Sequence, residues 1–358
     1  MRVLFVTRKY PPRVGGMESL SHGLTMGFPE PKTTIALGRS QKHLIWFLPY
    51  VILRLALTAS QYDVIHLGDA LLCVAGFVPR VVFRRKLAIS VHGLDLTFSA
   101  WIYQAYLKVF LRAQVFIANS ESTRRLAESR GLSPVRTITI GVPEHYFSIV
   151  RAPDLDAELA QRRAGRVVLV TVGRLVRRKG AAWFVRHVLP KLPGVLYAVI
   201  GVGPDHDEIV RAASETGTAE SLWLLGSVSQ ARLLQLLGAA DVFVMPNIEV
   251  PGDIEGFGIV AIEAAASGLP VVAARLEGIP DAIVDGENGC LVESRDVSAY
   301  LQALARLIRD AAARRELGES ARRYTEQHNS WPRIIDRYVG LFAELARPRR
   351  PHRAQREA

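Results

Sequence analysis

Short runs of consecutive apolar residues recur along the chain, separated by longer segments with helical spacing. In the first half they fall at 3–7, 33–37, 63–67, 87–91, 115–118 and 137–140. In the second half they fall at 167–172, 196–200, 222–225, 241–245 and 270–273. The runs are continuously apolar rather than alternating, as in strands buried on both faces of a parallel sheet. Strand–helix alternation that repeats twice predicts two doubly wound α/β domains. The pattern lapses near 144–165, where Pro, Asp, Arg and Ala replace apolar periodicity, so the domains are drawn at 1–150 and 151–330. A tail over 347–358, rich in Arg and Pro, is expected to be disordered.

The most hydrophobic stretch is 44–57. It is shorter than the ~20 residues a spanning helix needs, and Pro49 and Arg54 interrupt it. It is therefore expected to be a buried helix of the first domain. The minority alternative is a helix lying in a membrane interface, with Trp46 and Tyr50 at head-group level. Residues 1–7 read as a strand rather than a signal peptide, because the apolar run stops at Arg8.

Charge changes the picture more than composition does. The first 150 residues hold 18 Lys and Arg against 8 Asp and Glu, while residues 151–358 hold 27 against 26. A basic half joined to a near-neutral half implies two jobs. Either the arginines are a compositional bias on solvated faces, or the first half meets an anionic surface, a phospholipid head group or a lipid pyrophosphate. Nucleic acid is disfavoured, since no recognisable nucleic-acid-binding motif is present. Cys73 and Cys290 fall in separate domains without metal-ligand neighbours, which implies a reducing compartment and no disulfide.

The candidate chemistry gathers at strand ends. Glu255 and Glu263 bracket Phe257 and Gly258 ahead of the apolar segment 259–266, which Gly268 and Pro270 close. Glycines before a buried helix leave unpaired amides and a positive dipole end, which suits a phosphate. Carboxylates beside it suit sugar or ribose hydroxyls. On one helix, an eight-residue spacing would separate the two by about 12 Å, beyond the ~5–9.5 Å that glycosidase carboxylates need. Arg174 and Lys179, in the loop after 167–172, suit a diphosphate, whereas Arg177 and Arg178 read as solvated. Gly15 with Gly16, and Gly173, are glycine turns after strands, explained by turn geometry as readily as by phosphate contact. Gly201 and Gly203 form another such turn, suited to the close approach of a flat base. His92, followed by Gly93 and Asp95, is as plausibly structural as functional, and Asp69 is a weaker candidate of the same kind.

These residues resemble the retaining glycosyltransferases of the GT-B fold, in the large family 4 grouping. The resemblance covers almost the whole chain: Gly15-Gly16-Met17-Glu18, His92-Gly93-Leu94-Asp95, Gly173-Arg174 with Lys179, Gly201 to Pro204, Asp241 to Pro246, Glu255 to Glu263, and Asp285 to Gly289. It implies that Arg174 and Lys179 hold the donor diphosphate and that Glu255 binds hydroxyls of the transferred sugar. Amides at Phe257, Gly258 and Ile259 would meet sugar or phosphate, Glu263 the ribose, Gly16 the phosphate across the cleft, and His92 the sugar near its 6-hydroxyl. The leaving phosphate would take the acceptor's proton, with no metal and no cofactor, and a helix over 331–346 would cross back to the first domain. Where family members commonly read Asn-Gly-Val-Asp, this chain has Ile140-Gly141-Val142-Pro143. The insert 250–254 and the run His66 to Ala70 look most like members that mannosylate phosphatidylinositol-type lipids from GDP-mannose.

The reading is thus a hexosyltransferase that meets a nucleotide-sugar donor and a lipid-linked or otherwise anionic acceptor. It would be cytoplasmic, peripheral on the inner face of the plasma membrane, and would serve the cell envelope. UDP-glucose or UDP-N-acetylglucosamine is the alternative donor. Rivals of another class are a sugar-nucleotide epimerase, for which no acid/base set is found, and a non-catalytic sugar-nucleotide-binding subunit.

Overall fold

The computed structural model describes residues 1–12, 15–38 and 40–347. Apart from Arg347, the expected basic tail lies outside the described residues. Two six-stranded sheets are built entirely from parallel pairs. The first contains β1 (Val3–Thr7), β2 (Lys32–Ala36), β3 (Val64–Leu67), β4 (Lys86–Val91), β5 (Val115–Ala118) and β6 (Val135–Thr137), in the order β2-β1-β3-β4-β5-β6. The second contains β7 (Val167–Val172), β8 (Val195–Ile200), β9 (Leu222–Gly226), β10 (Val242–Met245), β11 (Val271–Arg275) and β12 (Cys290–Glu293), in the order β12-β11-β10-β7-β8-β9. Both are doubly wound, so the chain has the two-sheet α/β architecture of the GT-B fold.

Two strands depart from the apolar pattern. The run at 137–140 is not the sixth strand, because the ladder to β5 pairs Phe116 with Val135 and Ala118 with Thr137. Ile138 and Ile140 continue beyond it into two different apolar clusters. β12 was not anticipated: it is a short edge strand paired only with β11, and its residues are mostly half-buried. An edge position buries too little to impose a continuous apolar run.

The last helix, Trp331–Ala346, lies on the first sheet although it follows the second in sequence. Its Ile334, Tyr338 and Phe342 pack with Val3, Phe5 and Val64. Trp331 sits where the chain crosses. A Cβ added at Gly141 would stand 2.6 Å from its ring, and one at Gly23 would stand 2.0 Å away. In the segment that departs from the family's Asn-Gly-Val-Asp pattern, the Val142 amide donates to the Asn329 carbonyl (2.7 Å).

The opposite face of the first sheet is covered by the helices Leu44–Thr58, Phe77–Val81 and Trp101–Phe110 and the 3-10 helix Ala70–Gly76. Here the expectation of a buried helix over 44–57 is overturned. Only Phe47, Val51 and Leu55 are buried, one stripe at four-residue spacing. Ile45, Trp46, Tyr50, Leu53 and Leu57 face outward, with Trp46 76% exposed. Flanking 3-10 turns extend the helical unit to Gln41–Gln61, 21 residues, long and apolar enough to cross a membrane by length and composition alone. In this fold its inner stripe is spent on the first sheet and its outer face is left apolar. Leu44, Leu48 and Ile52 flank that stripe half-buried against the same cluster, which completes the face that seats on the sheet, so burial does not account for the five outward-facing positions.

Candidate functional site

In doubly wound sheets, ligands bind beyond the carboxyl ends of the strands where the strand order reverses. The second sheet reverses between β7 and β10. The loop after β7 carries Gly173, Arg174 and Lys179, and the loop after β10 carries Asn247 and Glu255. The first sheet reverses between β1 and β3, whose loops carry Arg8, Gly15 and Gly16, and Gly68 and Asp69. His92 follows β4.

Glu255 is the centre of a polar cluster at the strand ends of the second sheet. Its Oε2 accepts from Lys179 Nζ (2.6 Å), Arg178 Nη1 (2.9 Å) and Asn247 Nδ2 (3.0 Å). Burial by itself would raise its pKa, but Lys179 and Arg178 outweigh that and hold the carboxyl below the ordinary range. Its own amide donates to the Glu277 carboxylate. Arg178 also holds Asp253 (2.9 Å), so its reading as a solvated arginine is overturned. The turn Arg177–Lys179 aims Arg178 and Lys179 at Glu255, while Arg177 is exposed. Arg174 is exposed at the loop's start, with no ion-pair partner among the described residues.

Glu263 lies on the helix Ile259–Ala266, whereas Glu255 precedes that helix, so the two do not share one helical face. Gly258 caps the helix in the left-handed region (φ 87°), which favours glycine, and no side chain caps this N-terminus. Burial pushes the Glu263 carboxyl up to about 7, only partly offset by the Tyr146 hydroxyl that it faces. Tyr146 comes from the short helix Glu144–Phe147, in the stretch where apolar periodicity lapses. That stretch therefore packs under the donor-side helix.

Other glycines have more than one explanation. The space beside Gly203 is taken by the Leu175 backbone, 2.2 Å from an added Cβ, and Gly201 is closed in the same way by the Gly173 carbonyl. These close approaches are between neighbouring loops, and they explain the glycines without a base. Gly15 faces Glu18, whose Oε2 would lie 2.6 Å from an added Cβ. Gly16 meets the other half: a Cβ there would stand 2.7 Å from Ile259 Cδ1. Gly93 likewise abuts Ile254 (2.5 Å). On the same border the Asp281 carboxyl faces the backbone amides of Glu121 and Ser122, which partly offset the burial that raises its pKa. The halves are closed on each other around the two switch points.

On the first half, His92 is buried and its Nε2 donates to the Gly68 carbonyl (3.1 Å). Its amide donates to Asp95 (3.2 Å). Asp69 is fully buried, pairs with Arg8 Nε (2.9 Å) and caps the Ala70–Gly76 turn through Leu71 N (3.0 Å). A fully enclosed, capping aspartate has a structural job, so the weaker candidate becomes part of the frame. Arg178, Asn247 and Glu277 were missed in the sequence. Asn247 and Glu277 both follow strands, so strand-end position was the available signal. Among the described residues, Asn247 Oδ1 and Asn119 Oδ1 are enclosed without a hydrogen-bond partner, and Asn119 Nδ2 would lie 3.5 Å from a Cβ at Gly256. Among the described residues, no group of three or more His, Cys, Asp or Glu side chains is placed to hold a metal ion.

Comparison with known proteins agrees with this geometry. Residues 157–324 match the family described as glycosyl transferases group 1, and residues 1–146 match glycosyltransferase family 4. A GDP-mannose-dependent alpha-(1-6)-phosphatidylinositol monomannoside mannosyltransferase from Mycolicibacterium smegmatis is 30% identical over 370 residues, covering 92% of this chain and 95% of that protein. A D-inositol 3-phosphate glycosyltransferase from Corynebacterium diphtheriae is 27% identical, covering 80% of this chain and 71% of that protein. The crystal structure of Anabaena HepE in complex with UDP superposes with a TM-score of 0.78 at 20% identity, covering 96% of this chain and all of that one. The chain belongs to the GT-B glycosyltransferases with family 4 and group 1 domains, and is a hexosyltransferase that uses a nucleotide-sugar donor.

Proposed function

We propose that the protein transfers mannose from GDP-mannose, with retention and without a metal, to a hydroxyl of an inositol-containing lipid at a membrane surface. The observation that carries the donor half is the convergence of Arg178, Lys179 and Asn247 on Glu255 at the β7/β10 switch point. Bound donor would draw Lys179 towards the diphosphate with Arg174, and Arg178 and Asn247 would keep Glu255 ionised and aimed at sugar hydroxyls. The bond from the sugar's anomeric carbon to phosphate oxygen breaks, and a bond from that carbon to the acceptor oxygen forms on the same face. The acceptor's proton passes to the departing phosphate. Charge grows on that phosphate, so fixed cations and the uncapped Ile259–Ala266 N-terminus favour the transition state. Gly16, Phe257 and Gly258 supply close backbone approach, Glu263 meets the ribose, and His92 orients the sugar.

The acceptor half is supported by the exposed apolar layer of the first domain, by its basic charge, and by the relative that acts on phosphatidylinositol monomannoside. A soluble inositol phosphate, suggested by the second relative, would leave the apolar layer unexplained. The test is a thermal-shift panel with GDP-mannose, UDP-glucose and UDP-N-acetylglucosamine, with and without chelator. It is followed by transfer of labelled sugar to lipid extract or to inositol 3-phosphate, with NMR of the product's anomeric configuration. GDP-mannose should stabilise the protein alone, independently of chelator, and label should enter the lipid phase. A response to a UDP-sugar only would move the donor assignment, and an inverted product or loss of activity in chelator would overturn retention or metal independence.

A further inference from the structure

The outer layer of the first domain contains a groove that donor chemistry does not use. It is a cavity of about 290 Å³ between the helix Trp101–Phe110 and the segment that ends the Glu121–Ser129 helix. Its floor is apolar: Leu107, Leu111 and Leu132 are buried there, and Leu96, one residue beyond Asp95, closes one end. Its rim carries three exposed cations, Lys108, Arg112 and Arg130. No Asp or Glu lines it, and Arg130 is held by Gln104 Oε1 (3.1 Å) rather than by a carboxylate. Three like charges around a leucine floor repel one another and are unbalanced within the groove. That arrangement suits a ligand with an anionic head and an aliphatic body.

We propose that this groove holds an anionic phospholipid, its phosphate on the Lys108–Arg112–Arg130 rim and an acyl chain along the leucine floor. The inference rests on the membrane-surface reading above. Phe98, Trp101, Ile102 and Val109 beside the groove are all exposed, Trp101 at 78%. Leu107 and Leu111 pack in the same cluster as Phe47, Val51 and Leu55, so this helix and the Leu44–Thr58 helix cover one face of the first sheet. An approach that buries Trp46 and Trp101 in the head-group layer brings the groove to lipid depth. The groove's Leu96 end lies in the short helix Gly93–Thr97 that follows β4, whose Gly93 abuts Ile254 of the other half. A lipid seated there would fix the height of the acceptor site above the membrane.

The test uses the full-length protein and co-sedimentation with phosphatidylglycerol or phosphatidylcholine vesicles. It also uses a saturable titration with dihexanoyl phosphatidylglycerol below its micellar concentration, read by tryptophan fluorescence. The variant is Lys108→Glu with Arg112→Glu. The control is Arg2→Glu with Arg136→Glu, the same charge change at exposed positions outside the groove. Melting temperature and donor-induced stabilisation report the fold of each. Wild type should bind phosphatidylglycerol vesicles and saturate with the short-chain lipid. The groove variant should lose vesicle binding by at least about tenfold, as two reversed charges near a membrane imply, while the control stays within about twofold. Equal losses in both variants, or competition by glycerol phosphate as strong as that by the short-chain lipid, would overturn the groove and leave membrane association standing. Absence of wild-type binding to any vesicle would overturn both.

Discussion

The two halves share a fold and differ in where they leave their polar and apolar groups exposed. Each has six parallel strands wound in two directions, with loops gathered at a switch point. In the second half the unusual groups are at the strand ends: Arg178, Lys179 and Asn247 all donate to Glu255 in one half-buried cluster. In the first half the strand-end groups are tied down, Arg8 to Asp69 and His92 to Gly68. Its anomaly is instead the outer helical layer, where large apolar side chains face outward beside unpaired cations. A shared scaffold thus carries polar pre-organisation on one side and an adhesive surface on the other. The Trp331–Ala346 helix returns to the first half and fastens the two together.

The comparison breaks most sharply at the donor cluster. Arg174→Ala or Lys179→Ala should each lower kcat by about 10²–10³-fold, the scale of losing one charge-stabilising donor, with little change in melting temperature. Near-normal turnover in both would remove the diphosphate role. Glu255→Gln retains the shape but not the charge facing Arg178 and Lys179. It should slow transfer and cost about 1–3 kcal/mol of stability, measured by denaturant unfolding, and an unchanged rate would take Glu255 out of the sugar site.

Glu263 sharpens the contrast through pH. Its carboxyl titrates near 7 in the fold, above its ordinary value of 4.5. The folded state therefore holds a proton that the unfolded chain releases, and the resulting stability is present below pH 4.5 and lost as pH rises towards about 7. The slope in that window should reach at most about 1.4 kcal/mol per pH unit. Glu263→Gln should flatten it while weakening nucleotide binding. A Gln variant with the wild-type slope would mean that another group titrates there.

The smallest effects belong to the outer layer. Trp46→Ser or Leu53→Ser should leave the melting temperature within a degree or so, since neither side chain is buried. Each should weaken vesicle binding by up to about 1.5–3 kcal/mol, the value of burying such a side chain. Vesicle binding should also fall as salt is added, because the basic charge of this half is screened. Salt-insensitive binding would leave only the apolar contribution.

Much of the donor side was legible because strand-end position is a local property. Ten of the eleven apolar runs overlap their strands almost fully, and Lys179 and Glu255 stand at ends that the pattern located. Gly203 shows the limit of that method: a glycine after a strand signals close approach, but not whether a ligand or the Leu175 backbone makes it. The stretch 44–57 shows another. Its composition gives no polar face from which to read which residues seat on the sheet, so a buried helix and a surface helix look alike.

The sequence by itself determined the two parallel sheets and the family, and set Lys179 and Glu255 at strand ends, because continuous apolar runs and fixed loop motifs act over a few residues. The tertiary structure alone decided that Arg178 joins Glu255 across 77 positions and that Tyr146 faces Glu263. It also decided which side of the Leu44–Thr58 helix stays outside. Those outcomes depend on how distant elements share space, and no local pattern of polar and apolar residues encodes that.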